Sequence, residues 1–290
     1  MTNIIDGKNI ASTIRTQLKQ RIDEIKEQYN IVPKLSVVIV GDNPASMSYV
    51  KGKEKACMEV GIISDTIHLP ESTTEEDLVT CIKRLNNDIS VDGILVQLPL
   101  PKHIRESVII NTISPKKDVD GFTHINVGKM VVGEDCFIPC TPAGIIELIK
   151  SVGVETSGKH IVVVGRSNIV GKPLVNLLSS KTVNSTVTVC HTGTPDISKY
   201  TKEADIVIVA TGRPNTLSGK MIKSGAIVID VGVNRIPDET KTKGFRLVGD
   251  VDFDSCLEIA SYITPVPGGV GPMTIAMLLK NTVISVENKI

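Results

Sequence analysis

KHIVVVGRSNIVGKP, residues 159–173, is the stretch that decides the fold class. Its β-branched run Lys159–Val164 predicts a buried strand, Gly165 follows at once, and a helical pattern begins near Ile169. A strand that passes through a glycine turn into a helix is typical of a nucleotide-binding βα unit, in which backbone amides at the helix N-terminus meet a pyrophosphate. The spacing departs from GxGxxG, because Ser167 stands at the middle glycine. An ordinary strand–helix turn is the alternative interpretation.

The same alternation of strand and helix runs through both halves of the chain. It predicts further strands at Lys34–Gly41, Ile62–Leu69, Val91–Leu98, Thr186–Cys190, Asp205–Ala210 and Ala226–Asp230. It predicts helices at Asn43–Gly61 (with Asn43 as N-cap), Thr73–Asn87, 141–152, Ile169–Ser179 and Pro272–Ile290. Glycines and a proline interrupt the periodicity around residues 120–140, where we expect a seam. Short apolar strands alternating with helices predict an α/β fold with parallel sheets covered on both faces.

Length and composition narrow the class of protein. At 290 residues the chain is long enough for two domains. Its 32 basic and 32 acidic residues cancel and only 3% of residues are aromatic, which argues against nucleic-acid binding. The sequence has no membrane-length apolar run, no secretory signal, and six cysteines without a CxxC pair or metal-ligand spacing. We therefore expect a cytoplasmic protein with free thiols, no metal, no membrane association and no nucleic-acid partner.

The residues after the strand Thr186–Cys190 bear on the choice of cofactor. A dinucleotide site for NAD usually places an acid there to accept from the ribose 2′-hydroxyl, but no acid occurs before Asp196. Arg166 can pair with a 2′-phosphate instead, and Thr192 can hydrogen-bond it. This pattern favours NADP over NAD. The alternative for Arg166 is a solvated surface charge.

Three side chains in the first half are candidates for proton chemistry. Tyr49 and Lys53 share one face of a predicted helix at i,i+4 spacing, where a lysine in an apolar cleft can act as acid or base. Such pairs are common on helices, so alone the pair carries little weight. Gln97 ends a predicted strand, where open α/β sheets bind ligands, and a neutral amide there can hold a catalytic lysine. A loop glutamine facing water is an equal alternative.

Two loops are also candidate ligand-binding sites. The acidic turn that contains Asp118 and Asp120 fits either an Asx-turn or a ligand acceptor. Pro267–Thr274, PGGVGPMT, places three glycines and two prolines before a helix, which makes a shaped loop where backbone can approach a flat ligand.

Together these segments resemble the bifunctional methylenetetrahydrofolate dehydrogenase/methenyltetrahydrofolate cyclohydrolase family. The matching pieces, in order, are Tyr49-x-x-x-Lys53, GILVQLPLP (93–101), KDVDG (117–121), PCTP (139–142), VGRSNIVGKP (164–173), ATGRPN (210–215), DVGVNR (230–235) and PGGVGPMT (267–274). They span the chain from about residue 40 to 280, and several run nearly without substitution, so the match is highly specific.

The resemblance implies two αβα domains with an active-site cleft between them. These are a catalytic domain over 1–138 and a Rossmann-type NADP-binding domain over 139–268, with a C-terminal loop and helix, 269–290, returning to the first domain. It implies NADP-dependent oxidation of 5,10-methylenetetrahydrofolate to the methenyl form, then hydrolysis to 10-formyltetrahydrofolate, in the one-carbon metabolism that serves purine biosynthesis. It also implies a homodimer formed through the Rossmann domain.

The resemblance also implies roles for individual residues. Lys53 is the catalytic acid/base, Tyr49 packs on the pterin side and Gln97 contacts Lys53. The substrate-binding residues are Tyr49, Asp120 (at the pterin amino edge), Pro267, Gly268 and Gly269. The cofactor-binding residues are Gly165, Arg166 and Ser167 at the phosphates, Thr192 (a position that varies in the family), and Val233, with the loop near Gly212, along the nicotinamide side.

Two other functions are compatible with parts of the pattern. Short-chain dehydrogenases also carry Y-x-x-x-K, but there it follows the nucleotide loop, whereas Tyr49 precedes Gly165. A nucleotide sensor without catalysis would not need Lys53, Gln97 and Asp120 together. Formation of NADPH from NADP and methylenetetrahydrofolate separates an enzyme from a sensor.

Overall fold

The computed structural model describes residues 2–241 and 244–290. Over these residues the strands are β1 (Asn3–Ile4), β2 (Lys34–Val40), β3 (Ile63–Leu69), β4 (Gly93–Val96), β5 (His160–Val164), β6 (Thr186–Cys190), β7 (Ile206–Val209), β8 (Ile227–Asp230), β9 (Asn234–Pro237), β10 (Phe245–Val248) and β11 (Tyr262–Ile263). The α-helices are α1 (Gly7–Tyr29), α2 (Pro44–Val60), α3 (Glu75–Asn87), α4 (Glu106–Thr112), α5 (His124–Val132), α6 (Cys140–Ser151), α7 (Gly171–Ser179), α8 (Ser198–Thr201), α9 (Phe253–Leu257) and α10 (Val270–Glu287).

The chain divides into two compact units, each built around its own sheet. The three-stranded unit comprises Ser12–Cys140 with Ile275–Ile290, and the six-stranded unit comprises the residues up to Ala11 with Thr141–Thr274. The helices α1 and α10 therefore have residues in both units. This arrangement confirms the predicted α/β class.

The three-stranded unit has a parallel sheet in the order β3–β2–β4. The central strand β2 is buried along nearly its whole length, as expected for a parallel strand covered on both faces. A further parallel bridge joins Ile94 to Asp118 and continues the sheet beyond β4. Because the pairings are parallel, the chain leaves β2, β4 and Asp118 at the same edge of the sheet.

The six-stranded unit has the sheet order β1–β11–β8–β7–β5–β6, and every neighbouring pair is parallel. The strands β5, β7 and β8 are its buried centre, and β9 and β10 form a separate antiparallel hairpin. The chain moves from β5 outward to β6 on one side and to β7 on the other. Such a reversal of strand order opens a crevice at the carboxyl end of β5, where doubly wound sheets bind nucleotides.

Most predicted elements lie within two residues of their observed bounds. Asn43 caps α2 as predicted, since its Oδ1 accepts from the amides of Ala45 (3.0 Å) and Ser46 (3.1 Å). The predicted return of the C-terminal helix to the first domain is also confirmed. In α10, Ser285 Oγ donates to the carbonyl of Asp92 (2.6 Å), which lies in the three-stranded unit.

The predicted interruption of periodicity around residues 120–140 is wrong in its middle, because α5 forms there. Thr123 accepts from the amide of Asn126 (3.4 Å) at the start of this helix, and Gly133, with φ 80°, ends it in the left-handed region. Gly128 lies inside the helix with open space around the position of a Cβ. A single glycine therefore interrupted the apolar pattern without breaking the helix.

The start of α7 differs from the prediction, and some elements were missed. The helix α7 begins at Gly171 rather than Ile169, because Ser167 Oγ accepts from the amides of Val170 (3.2 Å) and Gly171 (3.3 Å) and holds a turn ahead of it. The helix α1 and the strand β1 were not predicted. The strand β1 is short and its residues are exposed, so it carries little apolar signal.

Candidate active site

Lys53 and Gln97 meet at the edge of the three-stranded sheet. Lys53 lies on α2, Gln97 directly follows β4, and Lys53 Nζ donates to Gln97 Oε1 at 3.0 Å. Gln97 Nε2 donates to the carbonyl of Leu98 (2.6 Å), which fixes the side-chain amide with its oxygen toward the lysine. Tyr49 lies one turn before Lys53 on the same helix and keeps its ring exposed. The contact that the family resemblance implied is therefore present.

The turn after Asp118 presents a second aspartate at this edge. The buried carboxylate of Asp118 accepts from the amides of Phe122 (3.1 Å) and Thr123 (2.8 Å) and from Asn126 Nδ2 (2.8 Å). Gly121, with φ 71°, closes the turn, and a Cβ there would lie 2.6 Å from a neighbouring carbonyl. Asp118 therefore shapes the turn, and Asp120 is carried by it. Of the two interpretations of the acidic motif, the turn-forming role therefore fits Asp118, and the role of ligand acceptor is left to Asp120.

Asp120 is half-buried, and its carboxyl group has few partners. Cys140 Sγ donates to its Oδ1 at 3.8 Å, and this is the one hydrogen bond it makes with the described residues. Burial raises the pKa of Asp120 to about 6, and the neighbouring charge of Asp118 raises it further, while Lys53 acts in the opposite direction. A half-buried carboxylate beside a lysine, with its acceptor capacity largely unused, is typical of a ligand-binding group.

Two residues that support this turn were missed by sequence reasoning. Asn281, on α10, donates from Nδ2 to the carbonyls of Val119 (2.8 Å) and Ile138 (3.0 Å). The single S–H of Cys140 lies within reach of the Val119 carbonyl (3.3 Å) and of Asp120 Oδ1 (3.8 Å) and donates to one of them at a time. A polar side chain among the apolar residues of this helix was the signal that could have drawn attention to Asn281.

The turn between β5 and α7 has the form of an anion cradle. Gly165, with φ 136°, packs so closely that a Cβ would lie 2.3 Å from the carbonyl of Ala210, and a Cβ at Gly171 would lie 2.5 Å from the Gly165 carbonyl. Between these glycines, the amides of residues 166–169 donate to no acceptor among the described residues. Four consecutive free amides ahead of a helix N-terminus suit the phosphates of a dinucleotide.

The predicted side chains of this cradle have different surroundings. Arg166 is exposed and forms no ion pair with a described residue. The hydroxyl oxygen of Ser167 accepts from two amides at the start of α7, so its O–H hydrogen and its own amide remain available as donors. Thr192 is exposed just after β6. Asp196 accepts from the amide (2.9 Å) and hydroxyl (2.6 Å) of Ser198 and is thereby engaged in a local turn.

The remaining predicted residues lie on loops of the six-stranded unit. Val233 is exposed between β8 and β9, and Gly212 (φ 66°) lies just beyond β7. Pro267 precedes Gly268, which has φ 115°, and Gly269, where a Cβ would lie 2.7 Å from the Pro265 carbonyl. The amides of Gly268 and Gly269 have no acceptor among the described residues.

The predicted site residues thus fall into two groups, one in each unit. Tyr49, Lys53, Gln97 and Asp120 belong to the three-stranded unit. The six-stranded unit contains Gly165, Arg166, Ser167, Thr192, Val233, Pro267, Gly268 and Gly269. No helix formed by the described residues is both long and apolar enough to cross a membrane.

Comparison with known proteins identifies both parts of the chain. The family model "Tetrahydrofolate dehydrogenase/cyclohydrolase, catalytic domain" matches residues 5–120, and the corresponding "NAD(P)-binding domain" matches residues 139–290. The bifunctional protein FolD of Bacillus cereus is 58% identical over 284 residues, which cover 98% of this chain and 96% of the relative.

Solved structures agree with the sequence matches. The bifunctional FolD enzyme of Campylobacter jejuni superimposes with a TM-score of 0.95 at 48% identity and covers 100% of both chains. The Trypanosoma brucei methylenetetrahydrofolate dehydrogenase-cyclohydrolase, a structure complexed with NADP cofactor and inhibitor, has a TM-score of 0.95 at 40% identity and covers 99% of this chain and 98% of its own. The resemblance drawn from the motifs is confirmed.

Proposed function

We propose that this chain, a member of the tetrahydrofolate dehydrogenase/cyclohydrolase family, uses side chains of its three-stranded unit for the folate chemistry and backbone amides of its six-stranded unit to bind the cofactor. It is a bifunctional enzyme of folate one-carbon metabolism, which oxidises 5,10-methylenetetrahydrofolate with NADP and hydrolyses the methenyl product to 10-formyltetrahydrofolate. The observation that carries our assignment of roles is the hydrogen bond from Lys53 to the neutral amide of Gln97.

The dehydrogenase step calls for positioning more than for a base. A hydride leaves the methylene carbon and a cation delocalised over the two flanking nitrogens remains; NADP, when bound, supplies the acceptor for the hydride. No proton leaves the substrate, so the protein contributes by holding the two reactants in line. The free amides of residues 166–169 and the exposed Arg166 support binding of the cofactor phosphates.

The cyclohydrolase step requires proton transfer. The oxygen of water adds to the methenyl carbon, and the bond from that carbon to one ring nitrogen breaks. Because the methenyl substrate is a cation, one proton of the added water is released to solvent, and the other passes to the departing nitrogen. We assign this proton transfer to Lys53 Nζ. Gln97 is an uncharged partner whose orientation is set by its hydrogen bond to the Leu98 carbonyl. It therefore positions the lysine without adding a negative charge of its own.

Asp120 is our candidate for holding the folate. With its pKa raised to about 6, the carboxyl is largely ionised at neutral pH and has acceptor capacity to spare. The amino edge of a pterin presents paired N–H donors, which a carboxylate can accept together. Tyr49 would pack on the pterin, and the amides of Gly268 and Gly269 would face the ligand from their loop.

Three further expectations remain proposals. We propose domain boundaries at 138/139 and 268/269, to be tested by limited proteolysis. We also propose a homodimer, for which sedimentation equilibrium should give twice the chain mass. A cytoplasmic location fits the six cysteines, all of which are free thiols in the structure.

A two-part assay tests the function. The purified chain with NADP and methylenetetrahydrofolate should form NADPH and methenyl product, both followed by absorbance. With methenyltetrahydrofolate and no cofactor, the methenyl absorbance should decay faster than in buffer. Binding of NADP without turnover would favour the sensor, and dehydrogenation without faster decay would remove the role given to Lys53.

A further inference from the structure

Two buried aspartates lie behind the loops at the carboxyl end of the six-stranded sheet. Asp230 is the last residue of β8, and Asp250 follows β10 by two positions. Both are almost completely buried, and neither belongs to the residues assigned above to substrate or cofactor.

Asp250 joins the loop after β7 to the loop after β8. Its Oδ2 accepts from the amides of Thr211 (2.6 Å) and Gly212 (2.8 Å) and from Thr211 Oγ1 (3.0 Å). Its Oδ1 accepts from Asn234 Nδ2 at 2.9 Å. A Cβ on Gly232 would lie 2.1 Å from the same oxygen. The carboxylate therefore fills the space between the two loops.

Asp230 fixes the position of Asp250 in turn. Its Oδ1 accepts from the amides of Gly232 (3.0 Å) and Asp250 (2.9 Å), and its Oδ2 accepts from the amide of Val251 (3.0 Å). Burial raises the pKa of Asp230 to about 6, against the effect of these three amides, so the group is largely ionised at neutral pH. The two side chains form an interlocked pair in which each carboxylate is saturated by donors.

The position of this pair gives it a role in the reaction. Gly212 and Val233, the residues expected along the nicotinamide, lie on the two loops that Asp250 joins. The loop after β7 also packs against the cofactor cradle, since the Ala210 carbonyl faces Gly165. We propose that Asp230 and Asp250 are positioning residues for hydride transfer, which hold these loops in the register that the nicotinamide ring requires. This inference rests on the proposed function.

Asp250→Asn gives the direct test. The amide keeps the volume but turns N–H donors toward the amides or the asparagine that Asp250 now accepts from. We expect kcat/KM of the dehydrogenase to fall roughly tenfold to a hundredfold, since small misplacements of reacting groups have effects of this size. The cyclohydrolase rate, measured on methenyltetrahydrofolate without cofactor, should stay within about twofold.

An isotope effect distinguishes positioning from loss of folded protein. With substrate deuterated at the methylene carbon, Asp250→Asn should show a larger isotope effect on kcat/KM than the wild type, because hydride transfer becomes more rate-limiting. A smaller folded fraction would lower both activities equally and leave the isotope effect unchanged, and that outcome would overturn the proposal. An unchanged dehydrogenase would overturn it as well.

Two companion variants complete the experiment. Asp254→Asn makes the same chemical change on an exposed residue of α9 and should leave both activities at the wild-type level. Asn234→Ala removes one donor to Asp250 and decides the question if Asp250→Asn does not fold. It should lower the dehydrogenase severalfold and raise the isotope effect. A wild type that lacks both activities would count against the proposed function instead.

Discussion

Asp118 and Asp120 lie two residues apart, and the structure uses them in opposite ways. Asp118 accepts from two backbone amides and from the side chain of Asn126, so its carboxylate is occupied in holding the turn. Asp120 receives only the thiol of Cys140 from the described residues. A saturated buried carboxylate is part of the scaffold, whereas a half-buried carboxylate with unused acceptors is free to bind a ligand.

The same contrast separates the two units. In the three-stranded unit, Lys53 and Asp120 direct their functional groups from a helix and a turn, and side chains carry the proposed chemistry. In the six-stranded unit, Asp230 and Asp250 are saturated, and the open groups are backbone amides after Gly165. Removal of one of these side chains of the first unit should therefore change proton transfer or folate binding and leave cofactor binding intact. In the second unit, removal of one side chain should change how well the enzyme binds or uses the cofactor.

The largest effect is expected for Lys53→Met, which keeps the long apolar stem and removes the ammonium group. If Lys53 acts only in proton transfer, the cyclohydrolase should fall ~10²–10⁴-fold, the usual range for general acid–base catalysis. The dehydrogenase moves no proton and should stay within about an order of magnitude. Both rates are measured on one purified preparation.

The control for this variant is Lys55→Met, which changes an exposed lysine on the same helix and should leave both rates unchanged. If Lys53→Met lowers the two activities by the same factor, the lysine binds or positions the substrate. The separation of roles between the units would then fail for this residue.

Arg166→Ala tests the cofactor side of the comparison. Arg166 is exposed and has no ion-pair partner among the described residues, so a 2′-phosphate would be its main one. Loss of a charged hydrogen bond is worth about 1.5–3 kcal/mol, so KM for NADP should rise roughly tenfold to a hundredfold. KM for NAD should change much less.

Lys181→Ala removes an exposed charge beyond the far end of α7 and should leave both KM values unchanged. The preference for NADP is wrong if Arg166→Ala raises the two KM values equally. It is equally wrong if the wild type uses NAD better.

The sequence predicted the elements of this fold well because parallel strands buried on both faces are continuously apolar. Strands such as β5 and caps such as Asn43 depend on residues close together in the chain. The helix α5 was hidden because Gly128 resembles a break when its solvent-facing position is unknown. The strand β1 pairs with β11 about 260 residues away, and nothing local to either strand specifies that pairing.

The site was predictable to the level of residue types and motifs. The motifs pointed to Lys53 and Gln97, and the family resemblance pointed to Asp120. The sequence pattern alone did not separate Asp120 from Asp118, because the difference lies in which amides reach each carboxylate. Asn281 and the pair Asp230 and Asp250 act through contacts between distant segments. Such contacts follow from the folded chain rather than from any spacing in the sequence.

Asp120→Ala should weaken folate binding in both reactions and spare the cofactor. Removal of a charged hydrogen-bond partner is worth about 1.5–3 kcal/mol, or roughly tenfold to a hundredfold in affinity. KM for folate should rise in both assays. Cofactor binding, measured by the change in NADPH fluorescence when NADPH binds, should not change. Asp135→Ala, at an exposed acid of the same unit, is the control. Normal folate affinity would return Asp120 to a structural role.

The smallest expected effect concerns stability, and it has the opposite sign for the two neighbouring aspartates. Burial raises the pKa of Asp120 to about 6, above the usual value of about 3.9. Between these values the folded protein binds more protons than the unfolded chain, so the contribution of Asp120 to stability is lost as pH rises through about 6. Asp120→Asn does not titrate and should gain on the order of 1–2 kcal/mol relative to wild type between pH 4 and 8. Urea unfolding across this range measures the difference.

Asp118→Asn, which disturbs three hydrogen bonds, should be destabilised at neutral pH. A constant difference between Asp120→Asn and wild type would show that Asp120 is not held in an unfavourable charged state.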